Sequence, residues 1–259
     1  MINRLTKLPL LALFAAAPAF AADKPADAPA PAAKPAAVAQ PAEPPKERDG
    51  LPLVFHETFA DGEAAMKRFD IIDPGDWKMA KDADGKNVLS LFKKPTEASA
   101  GKPPVRSPFG RAIVKDLYVG EFVMEVRFKS TIKAYNHQDL CLFLGERDVS
   151  HLYYVHFGRV PDPNAGNIFI VNGAPRKNLL PPHKKQTDWT ENYHVATVAR
   201  KAGGTIAVTF DGQPYLSVKD ETFPTGRVGV GSFDDTGDFA DIRVWGKKVE
   251  KPAAEKPAK

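Results

Sequence analysis

One cysteine in 259 residues, Cys141, excludes an internal disulfide and a four-cysteine zinc cluster. No G-x-S-x-G elbow and no H-E-x-x-H pair occurs, because His56-Glu57 runs on into Thr58-Phe59-Ala60. The chain also lacks a P-loop and a G-x-G-x-x-G loop, so the usual nucleotide cradles are absent. No apolar run is long enough to span a bilayer: Leu8 to Ala17 has only the length of a secretory h-region. The folded part lacks net charge as well. Of the total of +4, residues 1–21 supply +2, residues 22–50 supply −1 and residues 247–259 supply +3, which leaves residues 51–246 neutral. A neutral core has no electrostatic footprint for nucleic acid, so none is expected as a partner.

What is present divides the chain into four parts. Arg4 and Lys7 precede the apolar run, and Ala19-Phe20-Ala21 is an A-x-A site, so residues 1–21 read as a signal peptide and the protein as exported, to periplasm or medium. Residues 22–49 are an Ala/Pro-rich disordered linker. Within 22–45 stand 10 alanines and 7 prolines, too few large apolar groups to offset the entropy of folding. Residues 50–246 form one domain, and residues 247–259 a disordered Lys/Pro/Ala tail that could touch an anionic surface.

The domain reads as strands. Phe122, Met124, Val126 and Phe128 alternate with Glu121, Val123, Glu125 and Arg127, the period of a strand with one buried face. Leu140 to Leu144 is apolar on both faces. Tyr153, Val155 and Phe157 alternate with Tyr154 and His156, which turns the phenol and the imidazole away from the core. Gly203-Gly204 joins two strands as a hairpin, and the alternating glycines from Gly226 to Gly231 mark close approach of a neighbour. A short helix is expected over Glu63 to Phe69. Many short strands separated by Gly- and Pro-rich turns predict an all-β, two-sheet antiparallel sandwich with disordered ends. Cys141 sits among Leu140, Leu142 and Phe143 and reads as a buried inert thiol. Trp189 and Trp245 read as packing anchors, and Trp77, after the turn Asp73-Pro74-Gly75-Asp76, as an exposed ring.

Four stretches carry a family resemblance: LVFHETFADG (53–62), GEFVMEVRFKS (120–130), DWTENYHVATVARKAGGTIAVTFDGQ (188–213) and GRVGVGSFDDTGDFADIRVW (226–245). They resemble the concanavalin A-like lectin/glucanase superfamily, and the last two resemble laminin-G-like modules and the 3-keto-disaccharide hydrolase family. The resemblance implies a jelly roll that engages carbohydrate on its concave face. The chain departs from the enzymes. It lacks the Glu-x-Asp-x-Glu strand of laminarinase-like glycosidases, and the Asn-Ser-Gly and Gly-x-Glu-x-Gln segments of the keto-disaccharide hydrolases.

Candidate site residues follow. His137, Asp139, His151, Tyr154 and His156 cluster within twenty positions. Aromatic rings stack on pyranose faces, while imidazole, amide and carboxylate groups bond hydroxyls. Tyr154, His156, Asn172 and Arg176 are expected to line a sugar groove with His137 and Arg127. A catalytic alternative makes Glu125 or Asp139 a general acid/base with His156 assisting. A third reading is a protein-interaction module of laminin-G type. Glu125 and Arg127 are also compatible with a cross-strand ion pair on a solvated face. Glu57 and Asp241, in the first and last strands, are placed as ligands of a structural calcium by the resemblance, with Asp234-Asp235 as either further ligands or a turn.

Overall fold

The computed structural model describes residues 43–252, so the segment expected to be a signal peptide, most of the expected linker and the last seven residues of the expected tail lie outside the described residues. Two antiparallel sheets pack face to face, as the strand pattern predicts. The nine-stranded sheet runs Glu47–Arg48, Leu51–Glu57, Gly237–Lys248, Val119–Ser130, His194–Arg200, Thr205–Phe210 and Gln213–Lys219. Two further strands, Trp77–Lys81 and Asn87–Leu91, extend it beside the start of Gly237–Lys248. The seven-stranded sheet runs Lys177–Asn178, Ile168–Asn172, His151–His156, Cys141–Asp148, Arg227–Ser232, Gly110–Val114 and Phe69–Ile71. Among the described residues no helix is long and apolar enough to cross a membrane.

The core lies between the sheets. Phe122, Met124, Val126 and Phe128 face Leu142, Leu144, Tyr153 and Val155, all buried. Alternation therefore assigned the inward faces as expected. Trp189 and Trp245 are buried anchors: the Trp189 indole N–H donates to the Phe157 carbonyl at 2.8 Å, and that of Trp245 to the Pro45 carbonyl at 2.7 Å.

Four local outcomes differ from the sequence reading, one being that the last strand runs through Lys247 and Lys248, expected in the disordered tail, with Lys247 paired to Glu121. The helix is one turn, Glu63–Met66, because Phe69 leaves it to pair with Val114 as a strand. Trp77 is 3% exposed and packs on Phe239, since its turn feeds directly into a strand of the sheet. Glu47–Arg48, expected in the linker, pairs with Leu51 and Pro52. The cause is Asp49-Gly50, with φ of 54° and 74°, a two-residue turn of the kind hairpins favour.

Candidate functional site

The outer face of the seven-stranded sheet is built by the residues that alternate with the core. The pairing Cys141 with His156, and Phe143 with Tyr154 and then Phe169, sets these side chains in two cross-strand rows. Tyr154 and Phe169 stack at 5.1 Å between centroids. Tyr154 and His156 do point outward, yet they are 0% and 4% exposed. The segment that precedes Gly110–Val114 folds over this face. Val105 and Phe109 pack into a second apolar cluster with Ile113, Phe143, Tyr154 and Phe233, and the Phe109 N–H donates to the Phe233 carbonyl at 3.0 Å. The sheet face is a covered layer rather than an open groove.

Under that cover lies a polar network. Asp139 is wholly buried. Its carboxylate accepts from the Ser232 hydroxyl at 3.2 Å, the Phe233 N–H at 3.0 Å and the Cys141 thiol at 3.4 Å. The His156 Nε2 lies 3.4 Å from the same carboxylate, and its Nδ1 accepts from the Gly166 N–H at 3.2 Å. That bonding pattern assigns the proton to Nε2. Next to it, the Asp235 carboxylate accepts from the Tyr135 hydroxyl at 2.8 Å and the Asp139 N–H at 3.0 Å, with the Lys94 ammonium at 3.2 Å. Burial, reinforced by Asp235, pushes Asp139 up to about 7. Burial, with the Arg176 and His137 charges adding to it, pushes His156 down to about 3, so the ring is neutral. Both ring nitrogens of His156 are engaged, which fits a positioning role.

A cleft of about 470 Å³ opens at the edge of this network. His156 and Phe233 form its base. Arg106, His137, Asn164, Arg176, Asn178 and Asp234 supply its polar rim. Arg176 is held between rings, 4.9 Å above Phe169 and 4.2 Å above Phe233, and donates to the Tyr154 hydroxyl at 2.8 Å. Sandwiching by two aromatic rings fixes a planar, permanently charged donor fork at the cleft. Arg106 stacks on Phe233 at 5.2 Å, and the His137 ring meets Asp162 at 2.7 Å. The rim thus carries two guanidinium groups and the Asp234 carboxylate.

The structure brings His137, Asp139, Tyr154, His156 and Arg176 together, with Tyr154 and Asp139 behind the cleft wall rather than on it. Asn172 is exposed at the other end of its strand, opposite His151. Glu125 and Arg127 stand on the outer face of the nine-stranded sheet. Glu125 pairs with Arg48 at 2.6 Å and Arg243 at 3.7 Å, and Arg127 stacks on Tyr193 at 3.8 Å with Asp82 also at 3.8 Å. No acid/base pair of Glu125 with His156 is therefore assembled. Glu57 and Asp241 are not assembled either. The register sets Glu57 opposite Ile242, so Asp241, one residue away, points to the other face. Each takes an arginine: Glu57 holds Arg68, and Asp241 holds Arg243 at 2.8 Å.

Two other groups bring possible metal ligands within 4.8 Å: Asp139, Asp234 and Asp235, and Asp139, Cys141 and His156. Neither fits an ion well. The oxygens of Asp139 and Asp235 already accept the hydrogen bonds described above, whereas calcium needs six to eight oxygens. Burial raises the Cys141 thiol well above its ordinary value, so it stays protonated and donates to Asp139.

Arg106, Asn164, Asn178 and Phe233 are cleft residues that the sequence reading did not single out. Arg106 and Asn164 come from irregular segments, where no periodicity marks a functional side chain.

No family model matches the sequence, and no curated protein matches it. Solved structures with similar folds include the carbohydrate binding module CBM66 from Bacillus subtilis, at 12% identity and TM-score 0.49, covering 69% of this chain and 96% of that one. Domain 4 of AbnA, a GH43 extracellular arabinanase from Geobacillus stearothermophilus in complex with arabinotriose, aligns at 11% identity and TM-score 0.46, covering 77% and 94%. The exoplasmic/lumenal domain of VIP36 in its Ca2+/Man3GlcNAc-bound form aligns at 15% identity and TM-score 0.45, covering 73% and 87%.

Proposed function

We propose that this protein is an exported carbohydrate-binding module whose ligand, a poly- or oligosaccharide with acidic or vicinal hydroxyl groups, sits in the cleft under Arg176. The observation behind this reading is the convergence of Arg106, His137, Asn164, Arg176 and Asn178 on one 470 Å³ cleft. Guanidinium and amide groups on a shaped, partly apolar base are the donors that fix hydroxyls and carboxylates. The binding surface in this proposal is the cleft at the sheet edge rather than the open face, because Val105 and Phe109 pack against the apolar cluster of that face. Export rests on the leader of residues 1–21.

Binding is preferred to turnover for a chemical reason. Among the described residues the one carboxylate on the cleft wall is Asp234, which is exposed, and His156 has both nitrogens engaged. The buried acid, Asp139, does not line the cleft and has its carboxylate engaged by Ser232, Phe233 and Cys141.

A glycan array on the full chain is expected to give signal on uronate-bearing glycans above their neutral counterparts, with no reducing-end release. Arg176→Met is expected to weaken that signal by about 10- to 100-fold, the worth of a charge-assisted hydrogen-bonded pair. Arg106→Ala, at an exposed position, is expected to weaken it less while leaving the fold unchanged. Equal binding by wild type and Arg176→Met, or signal on no glycan, would overturn the reading.

A further inference from the structure

A second cleft, of about 540 Å³, lies at the other edge of the seven-stranded sheet, and the saccharide reading makes no use of it. Arg111 reaches it from strand Gly110–Val114, whose alternate residues Ala112 and Val114 belong to the core. Arg111 is 1% exposed. Its Nη1 donates to the Val149 carbonyl at 3.2 Å, and its Nε and Nη2 have no hydrogen-bond partner among the described residues.

Those two N–H groups share one edge of the guanidinium. Elsewhere in this chain the same edge holds a carboxylate side-on. Arg227 gives Nε and Nη2 to Glu146 at 2.7 and 3.1 Å, and Arg243 gives Nε and Nη2 to Asp241 at 3.0 and 2.8 Å. At Arg111 the carboxylate is missing. The acids around it are engaged by others. Glu146 has both oxygens on Arg227, Asp70 also pairs with Arg227, and Asp148 accepts from the Ser150 N–H and meets His151. Burial lowers Arg111 only to about 10, so it is charged at neutral pH. A buried guanidinium edge with no hydrogen-bonded partner is costly, and at Arg111 only the more distant charges of Glu146 and Asp148 offset it. The rest of the wall is mixed: Met66, Phe69, Ile71, Ile72, Ile113 and Val149 are apolar, and Lys67, Arg227, Asp70 and Glu146 add two charges of each sign.

We propose that this cleft binds a small organic carboxylate, its two oxygens on the Nε and Nη2 of Arg111 and its aliphatic body against the apolar residues of the wall. A fork of two parallel N–H groups matches a carboxylate in plane, and the six apolar residues of the wall favour an acid with a hydrocarbon body over a bare ion.

The test is an NMR titration of the full chain with hexanoate, with hexanamide and sulfate as comparison probes. Saturable binding of hexanoate that shifts the Arg111 Nε–H resonance is the expected result, with hexanamide and sulfate at least about tenfold weaker. Arg111→Met, which removes the buried guanidinium and keeps an unbranched side chain in its place, should weaken hexanoate at least about tenfold. Should that variant not fold, Val149→Glu carries the same expectation, since it sets a repelling carboxylate at an exposed position of the wall. No saturable hexanoate binding, hexanamide or sulfate binding as tightly as hexanoate, or undiminished affinity in the folded variant would overturn the proposal. None of these outcomes depends on glycan binding.

Discussion

Asp139→Asn and His156→Gln are expected to tilt the pH dependence of stability in opposite directions, although the two side chains touch. The argument is a proton count. Asp139 is raised in the fold from 3.8 to about 7. Its contribution is present below about 3.8 and is lost as pH rises through 7. His156 is depressed from 6.5 to about 3, so its contribution is present above 6.5 and is lost as pH falls through 3. Between those limits the folded pair holds one proton, on Asp139. The unfolded pair also holds one, on His156. The wild-type pair therefore adds almost no slope between about pH 4.5 and 6. His156→Gln leaves the folded Asp139 proton unopposed, and stability should fall with pH by up to about 1.4 kcal/mol per unit. Asp139→Asn leaves the unfolded His156 proton unopposed, and stability should rise with pH by a similar amount. Urea denaturation of both variants across that window reads the slopes directly. Two variants with parallel slopes would show that the pair does not titrate as described.

Gly231→Ala is expected to cost about 3 kcal/mol or more, against about 1 kcal/mol for Gly203→Ala. The two glycines differ in what surrounds them. At Gly203 an added Cβ meets nothing within 4 Å, and the penalty comes only from its φ of 74°. At Gly231 the Cβ would press into the Gly110 carbonyl group and come within 3.0 Å of the Phe143 ring. Gly110 is backbone of the adjacent strand, paired through Ser232 with Gly110 and Gly231 with Arg111, so it cannot withdraw without opening that ladder. The same displacement would drag Arg111 and Ser232, one at the base of each polar system on this face. Thermal unfolding of both variants measures the difference. Equal losses would mean that the sheet accommodates the methyl.

Alternation carried the reading of the sequence a long way. It assigned the inward row Phe122, Met124, Val126 and Phe128, and it turned Tyr154 and His156 to the opposite face from Tyr153 and Val155. It does not say what lies above an outward residue. Val105 and Phe109 sit in an irregular segment with no period, so the cover over Tyr154 leaves no trace in the pattern. Leu51–Glu57 pairs with Gly237–Lys248, as the family resemblance implied and the strand pattern alone did not show. Register was not legible, and a shift of one residue separates Glu57 from Asp241 across the sheet. Glu125 stood out as an acid on a polar face. Its partners Arg48 and Arg243 come from strands far away in sequence, and only the pairing reveals them as counter-ions. The sequence cluster of His137, Asp139 and His156 survived as a spatial cluster because the pairing of Cys141–Asp148 with His151–His156 folds that stretch back on itself. Arg176 joined it because the strands after His156 continue in the same sheet, with Phe169 under the guanidinium.

The most direct test of the saccharide assignment is a heteronuclear NMR titration of the full chain with trigalacturonate. Saturable shifts centred on Arg106, His137, Asn164, Arg176 and Asn178, and reduced in Arg176→Met, are the result this account predicts. Shifts centred instead on Glu125 and Arg127, across the sandwich, or no saturable shift with any acidic oligosaccharide, would contradict it.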